Sequence, residues 1–424
     1  MPKTIQAADV PALLRPGMVV QAQGAASEPL EIMAAIQAAP QASDGVHYLQ
    51  MYIPSVNKGD YSAFHPNARA TSFFITPGCR ASFQAGKIGY HPFHLSTNYR
   101  YLSALPPIDL LILSLSPPDA HGMCSLACSA AYVWATLPKA RVVVAEINRQ
   151  APRTFGAPPV PLSRLDYIVE CGYTPIEVPS QPLNDASRAI GRHVAGLVRD
   201  GDCIQIGIGN VPNAILAELG HRNDLGFHSG MMTDACIDLI ASGTMNGSRK
   251  AIDRHVHVTG IVVGTKRLFD FVHENTRVHF REVGYTHEQE TLRHLDNFVS
   301  LNSVLEVDLL GQGNAEMIDA EQQGGVGGQA DFVRGARNSR GGRSVLAFLS
   351  TGRRGTLSRV VSRLPQGTVV STPRADVDYV VTEHGVAHLR DLNIDDRAAA
   401  LIGVADPRFR DELHAAWKDM RKSM

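Results

Sequence analysis

The chain is poor in the features that would place it outside a cell or in a membrane. Only 6 of its 424 residues are cysteine, at positions 79, 124, 128, 171, 203 and 236, and no two form a CxxC pair. Neither a disulfide framework nor a thiol-ligated zinc site is therefore expected, and buried thiols are. No apolar run is long enough to span a bilayer, and the start, MPKTIQAADVPALLRPG, lacks the apolar stretch of a signal peptide. A cytoplasmic protein without membrane attachment is expected. Charge of one sign is lacking too, with 40 Lys and Arg against 41 Asp and Glu. That balance excludes a broad positive field for nucleic acid or anionic lipid, so any anionic ligand has to be met locally. No GxSxG occurs and no Walker lysine follows the glycine cluster, which argues against a serine-hydrolase elbow and an ATPase.

What is present is an alternation of strand-length apolar runs with helical stretches. VVVAEIN (142–148), DYIVECG (166–172), CIQIGIG (203–209), VLAFLS (345–350) and DYVVTEHG (378–385) are apolar on both faces and end in Gly, Pro or polar turns. Such runs predict buried, largely parallel strands with helices on both sides, an α/β fold. In such sheets ligands sit beyond the carboxyl ends of the strands. The length suggests more than one core. A Pro/Ser-rich link in PIEVPSQPLNDASRAIGRHVAGLV, with Asn184 or Asp185 capping the following helix, divides the chain into domains at 1–182 and 183–424. GARNSRGGR (335–343) reads as a loop.

Several junctions bear chemistry. In GIGNVPNAI, Gly207, Gly209 and Asn210 lie between a strand and a helix whose free amides suit a phosphate or a carbonyl oxygen. The third glycine of a dinucleotide fingerprint is replaced by Pro212, so a tight turn alone is as good a reading. LGFHSGMMTDACIDLIASG predicts a short strand, a turn and a helix capped by Thr233 or Asp234 and ended by Gly243. Its tip, the kind of turn where α/β enzymes expose a nucleophile, offers His228, Ser229 and Asp234. QQGGVGGQADF places Gly324, Gly325, Gly327 and Gly328 within five residues, a segment whose backbone can approach an extended ligand or nest an anion; a merely flexible loop is the alternative. Alternation puts Glu306 and Asp308 on one strand face. Glu383 comes just after the apolar run DYVV and two residues before Gly385, where burial would suit it to general acid/base work. His255 and His257 share a strand face and His384 and His388 stand four apart, but neither pair has a third ligand nearby, so no metal is expected.

These segments, in this order, resemble the acetyl-CoA hydrolase / 4-hydroxybutyrate CoA-transferase family of class I CoA-transferases over nearly the whole chain. The likeness is carried by LILSLSPPDAHGMCSL, VVVAEIN, GIGNVPNAI, TDACIDLIASG, DNFVSLNSVLEVDLLGQGNAE, GGVGGQADFVRGA, STGRRGTLSRVV, TPRADVDYVVTEHGVA and ADPRFRDEL. It implies two CoA-transferase-like α/β domains with a cleft between them, acyl-CoA substrates with a small carboxylate acceptor, and a homodimer or homotetramer. It also implies Asn302 and Glu383 in the reaction chamber, Gly325, Gly327 and Gly328 against coenzyme A, and the 207–210 turn near the thioester.

In this family a glutamate at the tip corresponding to FHSGMMTD attacks the acyl-CoA carbonyl and becomes a glutamyl-CoA thioester. This sequence has Gly230 there. Losing a covalent nucleophile costs on the order of 10⁶ in turnover where the mechanism depends on it. Three readings follow: a transferase in which Glu383 or Asp234 takes over the attack; an acyl-CoA hydrolase in which the freed space admits water, with Glu383 as general base; or a CoA-binding protein or partner subunit without turnover. Glu218 and Glu282 flank the tip in sequence, but neither is expected in the turn. Tyr61, Phe73, Phe74 and the segment 90–102 either line an acyl pocket or belong to the core.

Overall fold

The structure, a computed structural model, describes residues 1–424. It divides into two compact units: Met1–Pro179 with Met231–Asp234 and Val258–Thr286, and Ser180–Gly230 with Ala235–His257 and His287–Met424. The first interval ends close to the link expected at 182. The two later intervals of the first unit lie inside the second half of the sequence.

The first unit is built on an eight-stranded sheet. Its spatial order is Lys3–Thr4, Tyr167–Cys171, Val142–Asn148, Leu110–Leu115, Val19–Ala22, His47–Gln50, Arg69–Ser72 and Ile88–Tyr90. Every pairing is parallel. The central strand Leu110–Leu115 is buried at all six positions, as a strand covered on both faces requires.

The second unit carries a six-stranded sheet in the order Gly226–Phe227, Cys203–Ile206, Phe298–Asn302, Arg343–Ala347, Tyr379–Thr382 and Gly385–His388. All pairs are parallel except the closing hairpin, where Tyr379–Thr382 meets Gly385–His388. Fold class and strand positions follow the sequence expectation. Helix Asp185–Ala195 is capped as expected, the Asn184 side chain accepting from the Ser187 amide at 2.8 Å, a contact worth about 1 kcal/mol. All six cysteines are free and buried.

Two local expectations are corrected. Residues 335–338 are helical, because Gln329–Asn338 runs on through Gly335; a Cβ there would stand 2.6 Å from Leu292 Cδ1, so a tight packing contact, not a turn, demands that glycine. His255 has φ +64° and precedes the strand His257–Thr259, so the two histidines share no strand face. Asp234 stands directly before helix Ala235–Ala241, and its carboxylate accepts from the backbone amide and hydroxyl of Thr265 at 2.9 and 2.6 Å.

Candidate active site

In the second unit the carboxyl ends of the parallel strands bring together residues that lie far apart in sequence. Gly226–Phe227 leads into the turn 228–230, Cys203–Ile206 into 207–210, Phe298–Asn302 ends on Asn302, and Tyr379–Thr382 is followed by Glu383. One sheet edge thus carries Gly207, Gly209, Asn210, Gly230, Asn302 and Glu383. Asp234 belongs to the first unit, its carboxylate engaged by Thr265.

The turn is anchored from beneath. The His228 amide donates to Ile204 O at 3.0 Å, and the Ser229 hydroxyl donates to Ile206 O at 3.0 Å while accepting from the Ile206 amide at 3.4 Å. Both side chains are fully buried, so His228 and Ser229 hold the tip and do not project from it. At the neighbouring junction Gly209 takes φ +114° and ψ −176°, a conformation open to glycine alone, and starts helix Asn210–Ala217. No atom lies within 4 Å of where its Cβ would stand. The first amides of that helix are free to meet an acceptor oxygen.

Asn302 sits in a buried polar network that composition alone does not disclose. Its amide donates to Gln205 Oε1 at 2.9 Å and to Ser300 Oγ at 2.8 Å, Gln205 Nε2 donates back to Asn302 Oδ1 at 3.2 Å, and Ser300 donates to Gln205 Oε1 at 3.0 Å. The sign in the sequence was Gln205 itself, one amide within the apolar run CIQI. Glu383 is half-buried and its carboxylate accepts from the Ser350 amide and the Ser350 hydroxyl, each at 2.8 Å. Burial lowers the pKa of nearby Arg359, and the charges of Glu383 and then Glu306 oppose that shift. Ser350 was missed although it closes the run VLAFLS, and Arg359 because it lies in a connection without periodic pattern.

The glycine cluster leads straight into helix Gln329–Asn338 through Gly328. Gly324 has open space around its α-carbon and Gly327 takes φ +65°. Gly328 is different: a Cβ on it would lie 2.5 Å from Nε2 and 2.6 Å from Cδ2 of His287. Gly230 meets the same ring. A Cβ built there would stand 2.6 Å from His287 Cε1, 2.8 Å from His287 Nε2 and 3.7 Å from Phe332 Cε2. The imidazole packs at 4.4 Å between centroids on Phe332. It is 2% exposed, and burial pushes its pKa down to about 3, so the ring is neutral at physiological pH. Nothing in the sequence singled out His287, a lone histidine in THEQE.

Of the acids beside the tip in sequence, Glu218 caps the end of helix Asn210–Ala217 and Glu282 follows the strand Val278–Phe280. Tyr61 lines a cavity of about 660 Å³ in the first unit with Met33, Phe64 and Glu28. Its hydroxyl donates to Glu28 at 2.6 Å. Phe73 is core, packed with His91, Phe93 and Tyr101. No group of three or more His, Cys, Asp or Glu side chains is placed to hold a metal ion, and no helix is long and apolar enough to cross a membrane.

Comparison with known proteins decides the family. A profile described as acetyl-CoA hydrolase/transferase N-terminal domain matches residues 1–178, and one for the C-terminal domain of the same family matches residues 264–417. The chain belongs to the acetyl-CoA hydrolase/transferase family. Among its relatives in that family, the 4-hydroxybutyrate coenzyme A transferase of Clostridium kluyveri is 36% identical over 93% of this chain and 92% of its own length. The succinyl-CoA:cyclohexane-1-carboxylate CoA transferase of Geobacter metallireducens is 39% identical over 84% of this chain and 82% of its own. Among solved structures, RipA from Yersinia pestis superposes with a TM-score of 0.92 at 31% identity, covering 99% of this chain and 98% of that one. The 4-hydroxybutyrate CoA-transferase of Porphyromonas gingivalis gives 0.83 at 32% identity, covering 100% and 98%. This chain is accordingly an enzyme of the CoA-transferase and acetyl-CoA hydrolase type.

Proposed function

We propose that this enzyme hydrolyses acyl-CoA thioesters by direct attack of water at the carboxyl edge of the second unit's sheet, without an enzyme-bound thioester. The observation that carries this reading is the bare tip: Gly230 has no side chain, and the His287 ring fills the volume in which one would begin, so the freed space expected there for water is taken and the attacking water is met at Glu383 instead. Glu383, oriented by two donors from Ser350, acts as general base. It takes a proton from water as the oxygen attacks the carbonyl carbon; the C–S bond then breaks and the thiolate of coenzyme A leaves with that proton. The free amides at Gly209 and Asn210 supply donors toward the carbonyl oxygen, where charge develops, while Asn302, both of whose amide hydrogens go to Gln205 and Ser300, holds the strand end beneath them. Gly325 and Gly327 let the coenzyme approach the backbone, whereas Gly328 turns its open face to His287.

A second reading, CoA transfer to a small carboxylate acceptor, is favoured by the transferase names of the relatives. In it the acceptor itself attacks. We place the enzyme in the cytoplasm as a homodimer or homotetramer.

The test incubates the enzyme with a panel of acyl-CoAs, with and without carboxylate acceptors, and follows thiol release, acyl exchange and protein mass. Thiol release without acceptor and an unchanged protein mass are expected. A CoA adduct on the wild-type chain, formed during acceptor-dependent exchange, overturns the proposal.

A further inference from the structure

The ring of His287 touches two glycines at once, and both contacts are incompatible with a side chain. A Cβ at 230 overlaps Cε1 and Nε2, and a Cβ at 328 overlaps Nε2 and Cδ2, at 2.5–2.8 Å. Real Cβ atoms do not approach other heavy atoms so closely, and the ring cannot swing away cheaply. It is almost wholly buried and packed on Phe332, itself buried against Phe298. In a close-packed interior, one side chain yields only if its neighbours do. Residues 230, 287, 328 and 332 therefore form one packing unit within the second unit of the chain, in which glycine at 230 is the counterpart of the imidazole.

We infer that His287 is the residue that sets the reaction type: by filling the corridor a side chain from position 230 would use, it keeps the enzyme on direct attack and closes the covalent route. This rests on the proposed hydrolase reading and adds a cause to it. A carboxylate placed at 230 reaches an acyl-CoA only when the ring and its neighbours shift, which slows its attack. With the ring gone, its oxygen attacks the acyl-CoA carbonyl carbon, the C–S bond breaks and CoA thiolate leaves an acyl-glutamyl anhydride. The thiolate then attacks the glutamyl carbonyl, the acid leaves as its carboxylate, and CoA remains thioester-linked to the protein. No oxidant or further reactant is consumed.

The experiment compares Gly230→Glu, His287→Gly and the double variant, each mixed with acetyl-CoA and butyryl-CoA and analysed by intact-protein mass spectrometry. The double variant is expected to gain the mass of one CoA less water. Gly230→Glu alone is expected to form that adduct more slowly by a factor on the order of 10², the upper range of coupling between touching residues. Equal adduct formation in the single and double variants overturns the inference, as does a folded, CoA-binding double variant that forms none. If the double variant does not fold, the same contact is read by a stability cycle with Gly230→Ala and His287→Gly: the alanine should lower the melting temperature only while His287 is present, and an equal loss in both backgrounds overturns the inference. An adduct on the wild-type chain would instead remove the hydrolase reading, so the two failures are distinguishable.

Discussion

At the scale of single residues, the site depends on a few atoms whose removal has calculable effects. Glu383→Gln keeps the shape and loses the base, so thiol release should fall by about 10²–10⁴-fold while acyl-CoA binding, followed by calorimetry, persists. Gly209→Ala introduces a Cβ into open space, yet φ +114° is closed to it. A loss of about 1–3 kcal/mol in denaturant unfolding is expected from backbone strain alone. Legibility at this scale was uneven. Glu383 stood out because it closes an apolar run, Asn302 only through the family resemblance, and Gly230 because a motif lacked its usual side chain. His287, Ser350 and Gln205 were not foreseen, since what defines them is contact across 57, 33 and 97 positions of sequence with Gly230, Glu383 and Asn302 respectively.

At the scale of elements, buried strands announced themselves through continuous apolar runs, and their polar interruptions mark where stability responds to pH. Glu146 interrupts Val142–Asn148, is fully buried, and accepts from the Ile32 amide at 2.7 Å and from the Tyr173 hydroxyl. Burial raises its pKa from 4.5 to about 7, against the pull of those donors. The folded chain thus holds this proton to higher pH than the unfolded chain. Its contribution is complete below pH 4.5 and is lost as pH rises through about 7, on the order of 3 kcal/mol in all. Glu146→Gln should flatten that slope when urea midpoints are measured across the window; an unchanged slope would refute the assignment. Helix ends were less legible than strands. Gly335 looked like a breaker and is instead a contact point for Leu292, because composition does not distinguish a glycine needed for φ from one needed for closeness.

At the scale of the whole molecule, the sequence suggested one cut, whereas the chain passes between its two units five times, after residues 179, 230, 234, 257 and 286. The excursions are structural members of the first unit. Ala130 donates to Gly260 O at 3.0 Å, Val262 to Cys128 O at 3.0 Å, Val283 to Ala131 O at 2.9 Å and Val178 to Gly264 O at 2.8 Å. A fragment of residues 1–182 therefore lacks partners for its own buried backbone. It should show weak amide-exchange protection at Ala130 and Val178, whose amides the full chain protects. Amphipathic pattern is local and cannot register such returns. Within the second unit, Arg343 and Asp202, both nearly excluded from solvent, form an ion pair across 141 positions of sequence. Asp202→Ala should cost about 3–5 kcal/mol by stranding the guanidinium, and adding Arg343→Met should recover part of that loss. The interior placement of every cysteine has a practical corollary. Burial pushes Cys124 up to about 11 and Cys203 to about 12, so the native fold should be inert to a chromogenic disulfide reagent. Colour developing in such a turnover measurement would then come from the coenzyme's own sulfur, with protein contributing only once it denatures.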